Sequence, residues 1–352
     1  MSALIVGAGP AGCAAALALA ARGVRPRVIE RDRQVRDAIC GGFMSWRTLA
    51  ALDRLGVVVA GHPIGRVVVF AGKHRAEAPL PARAIGLSRR ALDAAMRAAV
   101  TARGLAIDIG VEARGFEARH VRLSDGSAHD GAVFLATGKH DLRGLPRPRA
   151  AADPTLGLRL RLAPHPGLTR LIGDAIELHL TDRAYVGLML QEDGSANLCL
   201  AVRKSRLAEV GGRPEALLAA LGEGTPLGER LGYAAMGEID AIASVPYGWR
   251  TATTLPGLYR LGDQAAVIPS LAGEGIGIAV ASGIAAAQGF ADGQSAPDWQ
   301  AGFARRTRRP VAAARLLWLG AERPWVARGA VPLLAAIPAL AGLGARLTRI
   351  GD

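Results

Sequence analysis

Cysteine is scarce in this chain: Cys13, Cys40 and Cys199 are the only three in 352 residues, and they lie far apart. Such spacing supports neither a disulfide framework nor a structural zinc site. His62, His74, His120, His129, His165 and His179 are isolated from one another. No metal is expected. Aromatic residues make up only 4% of the chain, and no stretch interleaves basic residues with Phe or Tyr. A stacking platform for single-stranded nucleic acid is therefore missing, and nucleic acid is not an expected partner. Lysine is nearly absent, at Lys73, Lys139 and Lys204, so the formal charge of +13 is carried by arginine. That charge still suits an anionic cofactor or an anionic membrane surface. The apolar N-terminus has no basic segment ahead of it, so it does not read as a secretion signal, and a cytoplasmic location is expected.

Half of the residues are hydrophobic, and the length suggests about two domains. The first organised feature is the apolar run Ala3 to Val6, suited to a buried parallel strand. Gly7, Gly9 and Gly12 follow at GxGxxG spacing, leading into an Ala/Leu-rich helix that ends at Arg22-Gly23. Gly7 permits the tight turn, Gly9 lets a pyrophosphate approach the backbone, and Gly12 lets helix and strand pack closely. The helix N-terminus offers free N–H groups to phosphate. A second strand over Val24 to Ile29 brings Glu30 to where a dinucleotide fold needs a ribose-binding carboxylate. This motif alone does not choose between FAD and NAD.

The choice comes from the far end of the chain. Tyr259-Arg260-Leu261-Gly262-Asp263 reads as a strand ending in Gly-Asp, followed by a Gly-rich turn and a small-residue helix through residues 264 to 288. This segment resembles the second flavin motif of the FAD-dependent aromatic hydroxylase and geranylgeranyl reductase superfamily, which has a glutathione-reductase-like fold. The resemblance implies that Asp263 bonds the ribityl chain of FAD and that the loop from Pro269 to Gly277 lies along the isoalloxazine ring. Gly273-Glu274-Gly275-Ile276, Ala279 and Ser282-Gly283 are more similar to the reductase branch. So is Cys40-Gly41-Gly42 with Phe43-Met44-Ser45, a segment found near the flavin. Arg89, in RRALDAAM, occupies the family's Arg-x-x-Leu-Asp position, which implies contact with the cofactor's phosphate and ribityl region.

Together these readings give the candidate cofactor residues: Gly7, Gly9, Pro10, Ala11, Gly12, Glu30, Arg31, Cys40, Gly41, Arg89, Val111, Thr137, Gly138, Asp263, Pro269, Gly273, Gly275 and Ile276. Gly275 is expected where a branched side chain has no room. Cys40 is also a candidate catalytic residue, weighed against a small residue suited to the turn. Glu274 is either a proton donor near the ring or a helix cap. Cys13 reads as a core residue.

The chain also departs from the family. The hydroxylases' Asp-Gly motif is replaced by Ala136-Thr137-Gly138-Lys139-His140, which argues against direct NADPH reduction in their manner and leaves NAD(P)H an open candidate as external reductant. The halogenases' paired tryptophans and catalytic lysine have no counterpart. The reductases' aromatic-rich strand corresponds to Tyr185 to Leu188 and Asn197 to Leu200 without its Trp and Phe.

The expected fold is α/β: a Rossmann-like FAD-binding domain, an inserted antiparallel-sheet substrate domain and a C-terminal helical tail. The FAD domain is expected over 1–60, 83–148 and 254–300, and the substrate domain over 61–82 and 149–253. The latter draws its strands from residues 67–70, 156–162, 175–180, 184–190 and 196–202, with helix near 213–221 capping the sheet. In the tail, 301–352, nine arginines face only Glu322 and Asp352, interleaved with Leu, Trp318 and Trp325. Such a segment either lies peripherally on a membrane or packs on the flavin domain. The resemblance implies a hydrophobic small-molecule substrate, isoprenoid or polyketide-like, with carbon–carbon double-bond reduction as the leading chemistry. Flavin-dependent hydroxylation is the alternative, and a non-catalytic or membrane-recruited flavin protein the third.

Overall fold

The computed structural model describes residues 2–117, 120–148, 151–233 and 236–350. The expected domain boundary at 148–149 and tail residues 351–352 touch positions outside those ranges.

Every side chain of β1 (Ala3–Val6) is buried, as a strand covered on both faces requires. Pro10 opens α1 (Pro10–Ala21), where its missing N–H costs nothing. β2 (Arg27–Glu30) begins later than the sequence suggests. The reason is the end of α1: Gly23, at φ +75°, turns the chain, and the Val24 N–H bonds back to Leu19 O, taking Val24 out of the strand. Next come β3 (Phe43–Met44), α2 (Trp46–Arg54), β4 (His62–Ala71), β5 (His74–Gly86) and α3 (Arg89–Ala102). Ser45 and Ser88 cap α2 and α3. β6 (Ile107–Ile109), β7 (Ala113–Glu117), β8 (His120–Leu123), β9 (Ala128–His129) and β10 (Ala132–Leu135) close the first half.

The second half runs through β11 (Thr155–Leu162), α4 (Pro166–Ile172), β12 (Ala175–Thr181), β13 (Ala184–Leu190) and β14 (Ala196–Arg203). It continues with α5 (Lys204–Ala208), α6 (Pro214–Gly222), α7 (Pro226–Leu231), β15 (Met236–Ile242) and β16 (Leu258–Arg260). α8 (Gly275–Ala291), α9 (Ala296–Ala321), α10 (Pro324–Ala336) and α11 (Ala339–Leu347) form the helical end.

The cofactor domain is a parallel five-stranded sheet in the order β16-β10-β1-β2-β6. α1 and α8 pack against each other so closely that a Cβ on Gly283 would lie 2.4 Å from Ala11 O. A small three-stranded sheet, β7-β8-β9, was not anticipated; its Phe116, Val121 and Leu123 cover Leu4, Ile29 and Val133.

The larger sheet runs β15-β11-β14-β13-β12-β4-β5-β3. Its pairings are antiparallel except that β12 runs parallel to β4. The expected strands appear as β4, β11, β12, β13 and β14. β5 was not legible because Pro79 and Pro81 interrupt its pattern, and it runs past residue 82, the expected domain boundary. On one face, Leu158, Leu160, Val186, Leu188, Leu198 and Leu200 pack under Leu217, Leu218 and Leu221 of α6. Alternation then sends the odd-numbered residues of β11, β13 and β14 to the other face, toward the cofactor domain.

Candidate flavin site

Glu30 sits at the end of β2 with four lone-pair positions on its carboxylate. Its Oε2 accepts the Ala8 N–H at 2.8 Å and lies 3.1 Å from Arg97 Nη2, while Oε1 accepts the Asp32 N–H at 2.9 Å. Three positions are filled, which leaves one for a ribose hydroxyl. Arg97, not anticipated from sequence, also donates to Ala8 O at 3.1 Å, so both polar groups of Ala8 are held. Val111 lies beside this end, its N–H donating to Glu30 O at 3.1 Å. Arg31 is exposed, with its Nε 3.7 Å from Asp32.

The glycines of the first turn carry the geometry their spacing implies. Gly7 has φ +103°, and a Cβ there would lie 2.6 Å from Ala136 O; one on Gly12 would lie 1.8 Å from Gly7 O. A Cβ on Gly9 would meet only Arg89 Nη2, at 3.6 Å. Arg89 therefore stands beside the phosphate-binding turn formed by Gly9, Pro10 and Ala11. Asp93 grips it twice, at 3.0 and 2.9 Å. Burial works against its charge, but the Asp93 carboxylate more than offsets that and raises the guanidinium's pKa.

Asp263 lies in a short 3₁₀ turn, Gly262–Gln264, after β16. Arg147 bonds its backbone O at 2.9 Å. Among the described residues nothing hydrogen-bonds its carboxylate, which leaves it free for a hydroxyl-bearing chain. Thr137 and Gly138 form the adjoining turn, tied by Gln264 Nε2 to Gly138 O and His140 O at 2.9 and 3.0 Å. Pro269 leads into a second 3₁₀ turn, Ser270–Ala272, and Gly273 follows at φ +61°. The restrictive glycine is Gly273, where a Cβ would also lie 3.0 Å from Phe43. Gly275 corrects the expectation: it opens α8 without a positive φ, and nothing lies within 4 Å of its Cβ position. Gly41 is equally open. Ile276 is buried behind the loop.

Glu274 requires a second correction. Its side chain does not cap α8, and only 2% of the residue is exposed. It accepts from Arg349 Nη1 at 2.6 Å, Ser45 Oγ at 3.2 Å and the Ile350 N–H at 3.3 Å. Burial pushes its carboxyl up against the pull of Arg349. With both oxygens engaged, Glu274 is a clamp between the flavin loop and the segment that follows α11. Arg349 also donates to Ala272 O at 2.7 Å.

Cys40 is half-buried, and its Sγ accepts the Gly42 N–H at 3.4 Å, which shapes the turn. Asn197 Nδ2 donates to Cys40 O at 3.0 Å and Gly41 O at 2.8 Å. Arg159 holds Asn197 Oδ1 at 3.0 Å and also pairs with Asp37. This support for the Cys40 loop was not foreseen. Cys13 is a core residue, its Sγ 3.2 Å from Ala8 O, and burial pushes its thiol up.

Of the contacts between the inward face of the large sheet and the cofactor domain, two frame a floor. Asn197 meets the Cys40 loop, and the Tyr185 hydroxyl meets Ser270 Oγ on the flavin loop. Tyr247 joins the same Ser270 Oγ at 2.6 Å. Between the two points the face carries Gly157, Gly187, Cys199 and Ala201, with Gly187 opposite Cys199 and Gly157 opposite Ala201. This floor is small, and the Arg159 charge that adjoins it, opposite Cys199, is already paired by Asp37 and Asp240. Burial pushes the Cys199 thiol and the Tyr247 hydroxyl each up to about 12, and Tyr185 well above its ordinary value, so all three stay protonated near neutrality. Alternation in Tyr185-x-Gly187 and Asn197-x-Cys199-x-Ala201 was the signal that could have marked this face.

The residues fit FAD: Glu30 would hold the adenosine end, Gly9 and Arg89 the pyrophosphate and Asp263 the ribityl chain, and the open glycines Gly41 and Gly275 would leave bare backbone for a flat ring. Among the described residues, no group of three or more His, Cys, Asp or Glu is placed to hold a metal.

Comparison with known proteins agrees. Residues 1–123 match the FAD binding domain family. No curated protein matches the chain. Among solved structures, a geranylgeranyl bacteriochlorophyll reductase-like protein of Thermoplasma acidophilum superposes with a TM-score of 0.76 at 18% identity, covering 99% of this chain and 93% of that one. The flavin-dependent brominase Bmp2 gives 0.77 at 14%, with 99% and 93% covered. A 2-methyl-3-hydroxypyridine-5-carboxylic acid oxygenase gives 0.68 at 18%, with 97% and 92% covered. One fold thus serves three named chemistries. The class defined by the matched domain and the site is an FAD-dependent oxidoreductase. Its fold is similar to that of the reductase-like protein, the brominase and the oxygenase.

Proposed function

We propose that this protein saturates a carbon–carbon double bond in a hydrophobic, isoprenoid or polyketide-like substrate. The observation that carries the reading is the floor of Gly157, Gly187, Cys199 and Ala201, small side chains flanked by protonated hydroxyls, with the adjoining Arg159 charge already paired by Asp37 and Asp240. Such a surface accepts an apolar chain without stranding a charge. FAD held at this site would, when reduced, supply a hydride equivalent to one alkene carbon, with NAD(P)H as the proposed source of its electrons. The protein's share is positional. Tyr185 and Tyr247 hold protons at their hydroxyls on Ser270, and Ser270 is exposed, so a proton given to the second carbon is replaced from solvent. The Cys40–Gly42 turn and the loop from Pro269 to Gly273 set the backbone against which the ring lies. Likeness to the reductase-like protein of Thermoplasma acidophilum supports the same choice.

The test is single turnover with chemically reduced protein under strict anaerobiosis, using a prenyl chain and an unsaturated polyketide. Product gaining two hydrogens, with flavin reoxidised in equal amount, is the expected result. Product appearing only in air, and carrying one added oxygen atom, would replace this reading with hydroxylation. A bound flavin that no reductant bleaches would point to a carrier instead.

A further inference from the structure

The outer side of the helical end departs from the usual rule for surface helices. α10 buries Ala327, Val331 and half-buries Leu334 against β4 and β5, a stripe at i, i+4 and i+7. The opposite side should then be polar. Instead it carries Trp325 and Leu333, 73% and 52% exposed. After a bend of 114° between the two helices, α11 continues with Leu340, Leu343 and Leu347 at i, i+3 and i+7, all exposed. α9 adjoins them, since a Cβ on Gly344 would lie 3.9 Å from Leu317, itself exposed.

Charge is as one-sided as hydrophobicity. Between residues 301 and 350 every exposed charged side chain is an arginine, including Arg315, Arg323, Arg328 and Arg346. The only acid in that stretch, Glu322, is 7% exposed and paired with Arg203. An apolar face rimmed by arginine, with a tryptophan at its edge, matches the boundary of an anionic bilayer. α10 has 13 residues and α11 has 9, about 20 and 14 Å of helix, too short to cross a hydrocarbon core of about 30 Å. A second copy of the chain is a poorer occupant, because it would set arginine against arginine with no acid to pair. We propose that α10 and α11 dock this protein on the surface of an anionic phospholipid membrane, lying in the interface without spanning it. The proposal is independent of the reaction at the flavin.

The full chain, loaded with FAD, is floated with phosphatidylcholine vesicles with and without phosphatidylglycerol. Binding is expected to the anionic vesicles, to weaken in high salt, and to be slight on neutral ones. Lipids brominated along their chains should quench tryptophan emission, and Trp325→Phe should remove most of that quenching. Leu343→Ser with Leu347→Ser, both at solvent-exposed positions, should lower partitioning at least about tenfold with melting temperature unchanged. Arg328→Gln and Arg346→Gln should each lower it about fivefold on anionic vesicles. No flotation of the full chain would overturn the proposal, as would quenching that survives Trp325→Phe. So would a dimer that Leu343→Ser dissolves while vesicles go unbound, which would make the face a self-association surface.

Discussion

Replacing Glu30 separates two jobs that its carboxylate performs. One is internal: it accepts the N–H of Ala8, a fully buried residue, at 2.8 Å and pairs with Arg97. Losing that acceptor leaves a buried donor unsatisfied, at a cost of about 1–3 kcal/mol to the fold. The other is external, a charge-assisted bond to a ribose hydroxyl through the single remaining lone-pair position, worth about 1.5–3 kcal/mol. Glu30→Ala should therefore lower the stability of the flavin-free protein by the first amount. It should weaken FAD by the second, about ten- to 150-fold in Kd. Glu30→Gln keeps an acceptor but loses the charge that roughly doubles such a bond, so its loss should be about half as large in free energy. Apoprotein titrated with FAD, followed by quenching of flavin fluorescence, reads the binding part; a melt without FAD reads the fold. A Glu30→Ala protein that melts earlier yet binds FAD within about threefold of the wild type would show that the carboxylate only braces the turn. The adenosine assignment would then be wrong.

Gly273→Ala should destabilise the flavin-free protein by about 1–2 kcal/mol, because it puts a side chain at φ +61° and 3.0 Å from Phe43. Gly275→Ala should leave that stability unchanged or slightly higher but weaken FAD, since its methyl enters space the protein leaves open; melts and flavin titrations of the two variants decide this. Glu274→Ala should cost about 3–5 kcal/mol in denaturant unfolding by stranding Arg349, and Glu274→Gln with Arg349→Met should recover much of it. Tyr185→Phe keeps the packing against Ala201 and Trp318 but removes a hydroxyl from Ser270. Turnover should fall about 10²–10⁴-fold with FAD affinity unchanged, and equal rates for the two proteins would remove Tyr185 from proton supply.

What could be read from sequence was what local spacing dictates. Gly7, Gly9 and Gly12 constrain one turn, and Glu30 follows from the length of one helix and one strand, so β1, α1 and the position of Glu30 at a strand end were legible. The turn at Asp263 and the Gly-rich loop that follows it were legible because their motif is contiguous. The contacts that hold the site together were not. Asn197 reaches Cys40 across 157 positions and Arg349 reaches Glu274 across 75, and no periodicity within either segment foretells a partner in another. Gly275 was misjudged for a related reason. A run of alternating glycines does not say which one turns left-handed, and that is set by where the helix begins: at Gly275, which puts the left-handed residue two positions earlier.

The backbone facing the flavin is poor in side chains of its own. Gly41 on one loop and Gly275 on the other leave open space, while Gly42 and Gly273 turn the backbone against Leu87 and Phe43, and none of the four supplies a side chain that fixes its position. Rigidity must then come from elsewhere, and it arrives from two directions. Arg159 orients Asn197, which ties down the Cys40 loop from the substrate sheet. Arg349 pins Ala272 and Glu274 from the end of the chain, while its guanidinium lies over Phe43 and Trp46, so one residue braces both loops. The helices with the exposed apolar face therefore lead straight into the support of the flavin loop. Deleting residues 301–352 would remove both at once, and lost activity could not be traced to lost membrane contact. Substitution at Leu343 and Leu347, outside the Arg349 clamp, keeps the two apart. If those variants leave the vesicles yet retain FAD affinity and anaerobic turnover, docking and flavin chemistry are separable properties of this chain.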